Sequence, residues 1–244
     1  MNDPGYWHNT PLIYSPSLIC LDMCNLESQV RILEDSGIEV LHIDIIDGYF
    51  SPSMPLGLET VRAIRKKTKM RFDVHLMANG NDYFIDELLD LDPDQLIFHI
   101  ETEKHTDAQL VRIKERGIRA GVALKPSTPL AVLDYVLERC DTVMLMLINP
   151  GYAGHSGEKQ VPYAFRKVTE LRRMINDRGL SAKIELDGRI SVENIEQYGA
   201  GIADIFVIGS TCIPAGNVGP GIRRMNELRK KLLSTERGQG NEYR

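Results

Sequence analysis

Short apolar segments alternate with amphipathic segments along almost the whole chain, and this alternation restricts the fold more than any other feature. The apolar segments occupy residues 11–20, 40–46, 71–77, 95–101, 119–124, 142–148, 182–187 and 204–209. They are nearly continuous apolar runs, which is typical of strands buried on both faces of a parallel sheet. We therefore predict eight parallel strands.

The segments between these strands carry helix signals. Residues 25–37 show helical periodicity and end at Gly37, and residues 127–140 offer Thr128 as an N-cap before Pro129. Eight strand–helix units predict an α/β fold, a single-domain (β/α)8 TIM barrel. The alternative is an open doubly wound sheet, which the lack of a G-x-G-x-x-G motif after the first strand disfavours.

Composition places few further demands on the chain. One barrel accounts for 244 residues, so we predict a catalytic domain over 11–233, an N-terminal extension over 1–10 and a polar C-terminal tail over 234–244. A net charge of −5 without a basic block gives no support for binding to nucleic acid or to a membrane surface. No apolar run reaches the roughly 18 residues of a membrane span, and the cysteine spacing fits no disulfide framework. We expect a soluble, cytoplasmic protein.

Histidine and aspartate residues interrupt several of the predicted strands. Residues two apart in a strand share a face, so His42 lies beside Asp44, and Asp73 lies beside His75. A barrel would gather five such groups at its carboxyl mouth: His42, Asp44, His75, Asp187 and His99. Burying such charged groups at separate places would cost free energy, so a single cluster is favoured. A set of two imidazoles and two carboxylates suits Zn²⁺, Fe²⁺, Mn²⁺ or Co²⁺. The sequence thus predicts a metal site, with Asp73 orienting His75 from behind.

Glycine-rich segments follow the sixth and eighth strands. They read NPGYAGHSG at 149–157 and GST at 209–211. Glycine lets backbone N–H groups approach an anion closely, and barrels often hold phosphate near their last two strands. These segments predict a phosphorylated substrate.

Six motifs give the chain a resemblance to a known family. In their order and spacing, these motifs resemble the motifs of the ribulose-phosphate 3-epimerase family over residues 13 to about 212. They read SPSL, HIDIIDG, DVHLM, NPGYAG, ELDG and IGS. The resemblance implies a metal-dependent isomerase that inverts C3 of a ketose phosphate, through an enediolate and two bases. It also implies a homo-oligomer, a dimer or a hexamer.

The resemblance further implies roles for individual residues. One divalent ion, with zinc favoured over iron, manganese or cobalt, would be held by His42, Asp44, His75 and Asp187. Asp44 and Asp187 would be the catalytic acid–base pair. The resemblance also implies substrate contacts, and the two metal-binding histidines are among the residues that make them. These residues are Ser17, His42, His75, Met77, Met146, Gly151, Tyr152, Ala153, Gly154, Gly188, Arg189, Gly209 and Ser210.

The chain departs from the common family pattern at several positions. Arg189 replaces the second glycine of a D-G-G motif, Lys125 replaces an asparagine and Ile46 replaces a methionine. Three features are similar to the corresponding ones in allulose-6-phosphate 3-epimerases: SPSLICLD, the AG pair and the residue after D-G. The substrate therefore stays open between a five-carbon and a six-carbon ketose phosphate. Two different functions also stay open: a lyase or decarboxylase on a related phosphate-binding barrel, and a barrel that binds ligand without catalysis.

Overall fold

The structure, a computed structural model, describes residues 4–152, 155, 157–199, 201–214 and 217–239, and in this part of the chain eight parallel strands form a nearly closed barrel. The strands are β1 (Ile13–Pro16), β2 (Val40–Ile46), β3 (Arg71–Met77), β4 (Gln95–His99), β5 (Arg119–Leu124), β6 (Thr142–Met146), β7 (Lys183–Asp187) and β8 (Ile205–Ile208). They pair in the order β1-β8-β7-β6-β5-β4-β3-β2, and a bridge between Ser17 and His42 links the two outer strands. The predicted (β/α)8 barrel is confirmed.

Helices alternate with the strands. The α-helices are α1 (Pro4–Asn9), α2 (Leu26–Asp35), α3 (Leu58–Arg65), α4 (Asn81–Leu89), α5 (Thr106–Glu115), α6 (Ala164–Asp177), α7 (Val192–Tyr198) and α8 (Val218–Gln239). Short 3-10 helices lie at Leu18–Cys20, Met23–Asn25, Ile100–Thr102, Leu130–Leu133 and Leu137–Arg139. Within the described residues, none of the helices has both the length and the apolar character that a membrane span needs.

The helix predicted over residues 127–140 is wrong. The segment forms two 3-10 helices, and Pro129 is extended, with φ −69° and ψ 148°. The hydroxyl of Thr128, predicted to cap the helix, donates instead to the carboxylate of Glu101. This long-range hydrogen bond holds the start of the segment away from a helical path. Several strands also end earlier than predicted, because the chain turns into a 3-10 helix after Ser17 and again after His99.

The register of the strands places the polar side chains. In the β2–β3 pair, His42 is opposite Asp73, and Asp44 is opposite His75. Asp187, the last residue of β7, is opposite the end of β6. Because alternate residues point into the barrel, these side chains share its interior, at or just below the carboxyl mouth.

The opposite end of the barrel is covered by α1. The indole of Trp7 is 2% exposed and packs with Ile13, Val40 and Ile205 at the amino ends of the strands. The guanidinium of Arg119 lies 5.3 Å from the centre of the indole ring. Part of the predicted N-terminal extension therefore belongs to the packed structure, while the predicted domain bounds stay a prediction.

We expect Trp7→Ala to lower the free energy of unfolding by about 3–5 kcal/mol, because truncating a fully buried aromatic leaves a cavity. Urea unfolding followed by circular dichroism measures the change. Tyr135→Ala is the control, since that side chain is 96% exposed. An unchanged unfolding midpoint in Trp7→Ala would show that α1 does not stabilise the barrel.

Candidate active site

A cavity opens at the carboxyl ends of the strands. This is where barrel enzymes build their active sites. Ten of the predicted site residues line it: Ser17, Asp44, Met77, Met146, Gly151, Asp187, Gly188, Arg189, Gly209 and Ser210.

The predicted metal quartet meets at the floor of this cavity. His42, Asp44, His75 and Asp187 each offer one ligand atom, and these four atoms lie within 4.8 Å of one another. Nδ1 of His75 is 3.5 Å from a carboxylate oxygen of Asp44 and 3.7 Å from one of Asp187. Four side chains from three strands therefore converge on one point.

Two nitrogens of the quartet have no hydrogen-bond partner. Nε2 of His42 and Nδ1 of His75 are buried without one, and both point toward the carboxylates of Asp44 and Asp187. Buried polar atoms are rarely left unsatisfied. A cation among the four side chains would satisfy both nitrogens, and a mixed imidazole and carboxylate set fits a divalent transition metal or zinc.

The two carboxyls of the quartet differ in their surroundings. Burial raises the pKa of Asp187, and the negative charge of Asp44 raises it further. Burial also acts to raise the pKa of Asp44, but the imidazole of His42 outweighs it and holds that pKa well below its usual range. The hydroxyl of Ser17 donates to Asp44 at 2.7 Å. A proton shared by the pair therefore resides on Asp187 rather than on Asp44.

Asp73 orients His42, and not His75 as the sequence predicted. Its carboxylate accepts from Nδ1 of His42 at 2.9 Å and from the hydroxyl of Ser15 at 2.8 Å. Burial acts to raise the pKa of Asp73, but His42 lowers it to about 2. The correction follows from the register, because His42 and Asp73 are directly opposite each other in the sheet.

A second carboxyl group lies below Asp73. Glu185 is fully buried, and burial together with the charge of Asp73 raises its pKa well above the usual value. The side-chain amide of Gln95 donates to both carboxyls, at 2.8 Å to Asp73 and 3.0 Å to Glu185. Glu185, whose pKa is raised, and Asp73, whose pKa is lowered, complete a polar layer beneath the candidate metal ligands.

Glycines line part of the cavity. Gly188 has φ +111°, and a Cβ there would lie 2.9 Å from the backbone nitrogen of Ile148. Gly151 has φ +83°, and a Cβ would lie 1.8 Å from Oγ of Ser51. These positions exclude other residues, so the backbone itself lines the cavity, as an anion site requires.

Comparison with known proteins identifies the family. A model of the "Ribulose-phosphate 3 epimerase family" matches residues 13–213. The chain belongs to that family. It is therefore an epimerase, a type of isomerase. Two curated relatives named ribulose-phosphate 3-epimerase are similar: that of Treponema pallidum (strain Nichols), 37% identical over 80% of this chain and 88% of the relative, and that of Escherichia coli (strain K12), 33% identical over 81% and 87%.

Solved structures of other enzymes share the barrel. The 3-hexulose-6-phosphate synthase of Salmonella typhimurium superimposes with a TM-score of 0.66 at 19% identity, covering 91% of this chain and all of that one. The KGPDC of Streptococcus mutans gives 0.64 at 11% identity, covering 91% and 98%. At such identities the likeness concerns the fold alone.

Not every predicted contact residue of the epimerase lines the cavity. His42 and His75 lie beneath it, fully buried. Tyr152 lines a separate shallow groove with Phe50 and Lys125, and its ring centre lies 5.1 Å from that of His155, with the two rings tilted by 48°. Ala153 and Gly154 lie outside the described residues.

Several residues of the cavity wall were not predicted. They are Ile19, Cys20, Ser53, Ile148, Ile190 and Val207. Most are apolar residues, for which the sequence carries no signal beyond their place next to a motif. Ser53 lies on the connection after β2, and the HIDIIDG motif just before it was the one available indication.

Proposed function

We propose that the protein is a metal-dependent 3-epimerase that interconverts D-ribulose 5-phosphate and D-xylulose 5-phosphate. The observation that carries the proposal is the His42/Asp44/His75/Asp187 quartet, with two unpartnered nitrogens aimed at its centre. The glycine-lined end of the same cavity supports a phosphorylated substrate. Membership of the family supports the reaction class.

A divalent ion held by the quartet would supply Lewis acidity toward the C2 and C3 oxygens of a ketose, where negative charge develops when the C3 proton leaves. Zinc is the ion we favour, ahead of iron, manganese and cobalt, and all four accept this ligand set.

Inversion at C3 requires one base on each face of the sugar. Asp44 projects from β2 and Asp187 from the end of β7, and Nδ1 of His75 lies between their carboxylates. In our proposal one carboxylate removes the C3 proton, and the other, protonated at the start, returns a proton to the opposite face. Their roles exchange in the reverse reaction. Ser17 holds Asp44 by its hydrogen bond and so fixes the direction in which that carboxylate points.

The phosphate-binding end positions C3 over the two carboxylates. Backbone N–H groups near Gly151, Gly188 and Gly209 would hold the phosphate, and this remote binding energy orients the reacting carbon. Met77 and Met146 also line this cavity. Within the proposal, the cytoplasmic location and the homo-oligomer implied by the family resemblance stay predictions.

A six-carbon substrate, D-allulose 6-phosphate, is the second candidate, and Arg189 is the observation that favours it. Arg189 lines the cavity directly after Gly188, where the common family motif has glycine. Its backbone has φ +52°, a left-handed conformation, and its guanidinium donates to the carbonyl of His155 at 2.6 Å. The side chain therefore changes the shape of the phosphate-binding end. A lyase or decarboxylase is disfavoured, because the two opposed carboxylates suit proton transfer on both faces of one carbon.

We expect Asp187→Asn to abolish epimerisation, by a factor of about 10³ or more, because the variant lacks one of the two bases. The measurement is exchange of the C3 proton in D₂O, followed by NMR with each sugar phosphate. Asp177→Asn, an exposed change on α6, is the control. Turnover close to wild type in folded, metal-loaded Asp187→Asn would remove Asp187 from the mechanism.

We expect a chelator to inactivate the enzyme, and Zn²⁺, Mn²⁺, Fe²⁺ or Co²⁺ to restore it, because the quartet offers two imidazoles and two carboxylates to one ion. Elemental analysis before and after chelation gives the metal content, and the same D₂O assay gives the activity. Full activity in protein shown to be free of metal would contradict the prediction.

We expect Arg189→Gly to raise KM for the natural sugar phosphate roughly tenfold with a smaller change in kcat, since a hydrogen bond from the Arg189 guanidinium to the substrate phosphate would contribute about 1.5 kcal/mol or more. Steady-state kinetics with five- and six-carbon ketose phosphates measure the effect and show which substrate the enzyme prefers. Arg116→Gly, at the end of α5, is the control. Unchanged KM values for both sugars would place Arg189 outside the binding site and remove the support for the six-carbon candidate.

A further inference from the structure

A chain of hydrogen bonds leads away from His75 on the side opposite the quartet. Nε2 of His75 lies 3.0 Å from Nε2 of His99, and Nδ1 of His99 lies 2.9 Å from a carboxylate oxygen of Glu101. Both imidazoles are fully buried, and the side chain of Glu101 is 19% exposed. Neither His99 nor Glu101 reaches the centre of the quartet.

The far end of this chain is held by the segment after β5. The second carboxylate oxygen of Glu101 accepts from the backbone N–H of Lys125 at 2.7 Å and from the hydroxyl of Thr128. An ionised carboxylate accepts hydrogen bonds and donates none. Three donors therefore converge on Glu101, and Nδ1 of His99 must be one of them.

The positions of the protons follow from this acceptor. A neutral imidazole has one donor and one acceptor nitrogen, so a proton on Nδ1 of His99 leaves Nε2 of His99 as an acceptor. Nε2 of His75 must then donate to it, since the two nitrogens are 3.0 Å apart. Nδ1 of His75 is left with its lone pair, and this is the unpartnered nitrogen that faces Asp44 and Asp187.

We propose that Glu101, acting through His99, fixes the tautomer of His75 that presents the lone pair of Nδ1 to the metal ion. Glu101 and His99 are positioning residues, and the inference rests on the metal site of the proposed function. His42 needs no such intermediate, because Asp73 accepts directly from its Nδ1 and leaves Nε2 for the ion. The ring of Phe50, whose centre is 4.6 Å from that of His99, packs against this relay.

Glu101→Gln would reverse the direction of the hydrogen bonds between residue 101, His99 and His75. The N–H of Lys125 is a backbone donor that cannot rotate, so the amide oxygen of Gln would turn toward it and the NH₂ group toward His99. Nδ1 of His99 then becomes an acceptor, its Nε2 carries the proton, and Nε2 of His75 must accept. Nδ1 of His75 gains a proton that points into the quartet, where it competes with the ion.

Two measurements test the proposal. In metal-free protein labelled with ¹⁵N-histidine, correlation spectra assigned by single histidine replacements should show His75 protonated at Nε2 in the wild type and at Nδ1 in Glu101→Gln. Competition with a chromogenic chelator should show zinc binding about 10- to 100-fold weaker in Glu101→Gln, the usual effect of losing a group that orients a ligand.

Glu103→Gln is the matched control, since Glu103 lies in the same segment but accepts from Asn81 and from the N–H of His105, with no imidazole involved. Its spectra and zinc affinity should equal those of the wild type. A wild-type His75 protonated at Nδ1, or a Glu101→Gln protein with unchanged His75 tautomer and zinc affinity, would overturn the relay.

If Glu101→Gln fails to fold, His99→Phe tests the proposed relay instead. It removes the acceptor for Nε2 of His75, so a mixture of His75 tautomers and weaker zinc binding are expected, and unchanged values would overturn the relay. Failure of the proposed function looks different: wild-type protein would bind no zinc, while the tautomer spectra of metal-free protein would still report on Glu101.

Discussion

The active site depends on the burial of one ionised carboxylate, that of Asp73. A charge without partners in the barrel interior would cost several kcal/mol, so its oxygens must be satisfied by neighbours. Ser15 on β1, His42 on β2 and Gln95 on β4 provide the three donors. These hydrogen bonds join strands from separate parts of the chain and fix the ring of His42. This candidate metal ligand therefore lies on a polar layer rather than on an apolar core.

Above this layer, two buried imidazole nitrogens without hydrogen-bond partners mark the candidate metal site. The lower nitrogen of His42 and the outer nitrogen of His75 have partners, while the nitrogens that face each other across the quartet have none. A cation bound there would satisfy both and would also relieve the repulsion between Asp44 and Asp187, which raises the pKa of Asp187. Binding of a cation to the quartet would therefore also stabilise the folded barrel.

The sequence predicted the barrel from a local pattern, the alternation of strands and helices. Polar residues in apolar runs predicted a cluster that included His99, and the resemblance to the family reduced it to the quartet. It could not predict which carboxylate orients which histidine, since that depends on the alignment of β2 with β3, and so the prediction that Asp73 orients His75 is wrong. The segment after β5 is predicted as a helix for a similar reason. Its N-cap candidate, Thr128, is bound by Glu101, a residue 27 positions away whose contact no local pattern encodes.

The departure of this chain from the common family pattern at Arg189 also has a physical cost. Arg189 adopts a left-handed backbone conformation that costs a non-glycine residue roughly 1–2 kcal/mol, in a place where the common motif has glycine. The hydrogen bond from its guanidinium to His155 joins the segments that follow β7 and β6, and it offsets part of that cost. A residue that breaks a local rule inside a binding cavity indicates selection for function rather than for stability. Arg189 lines the cavity together with the glycines and is not a member of the His/Asp quartet. Within the proposed function, the departure would therefore change how the substrate is held and leave the two proposed bases unchanged.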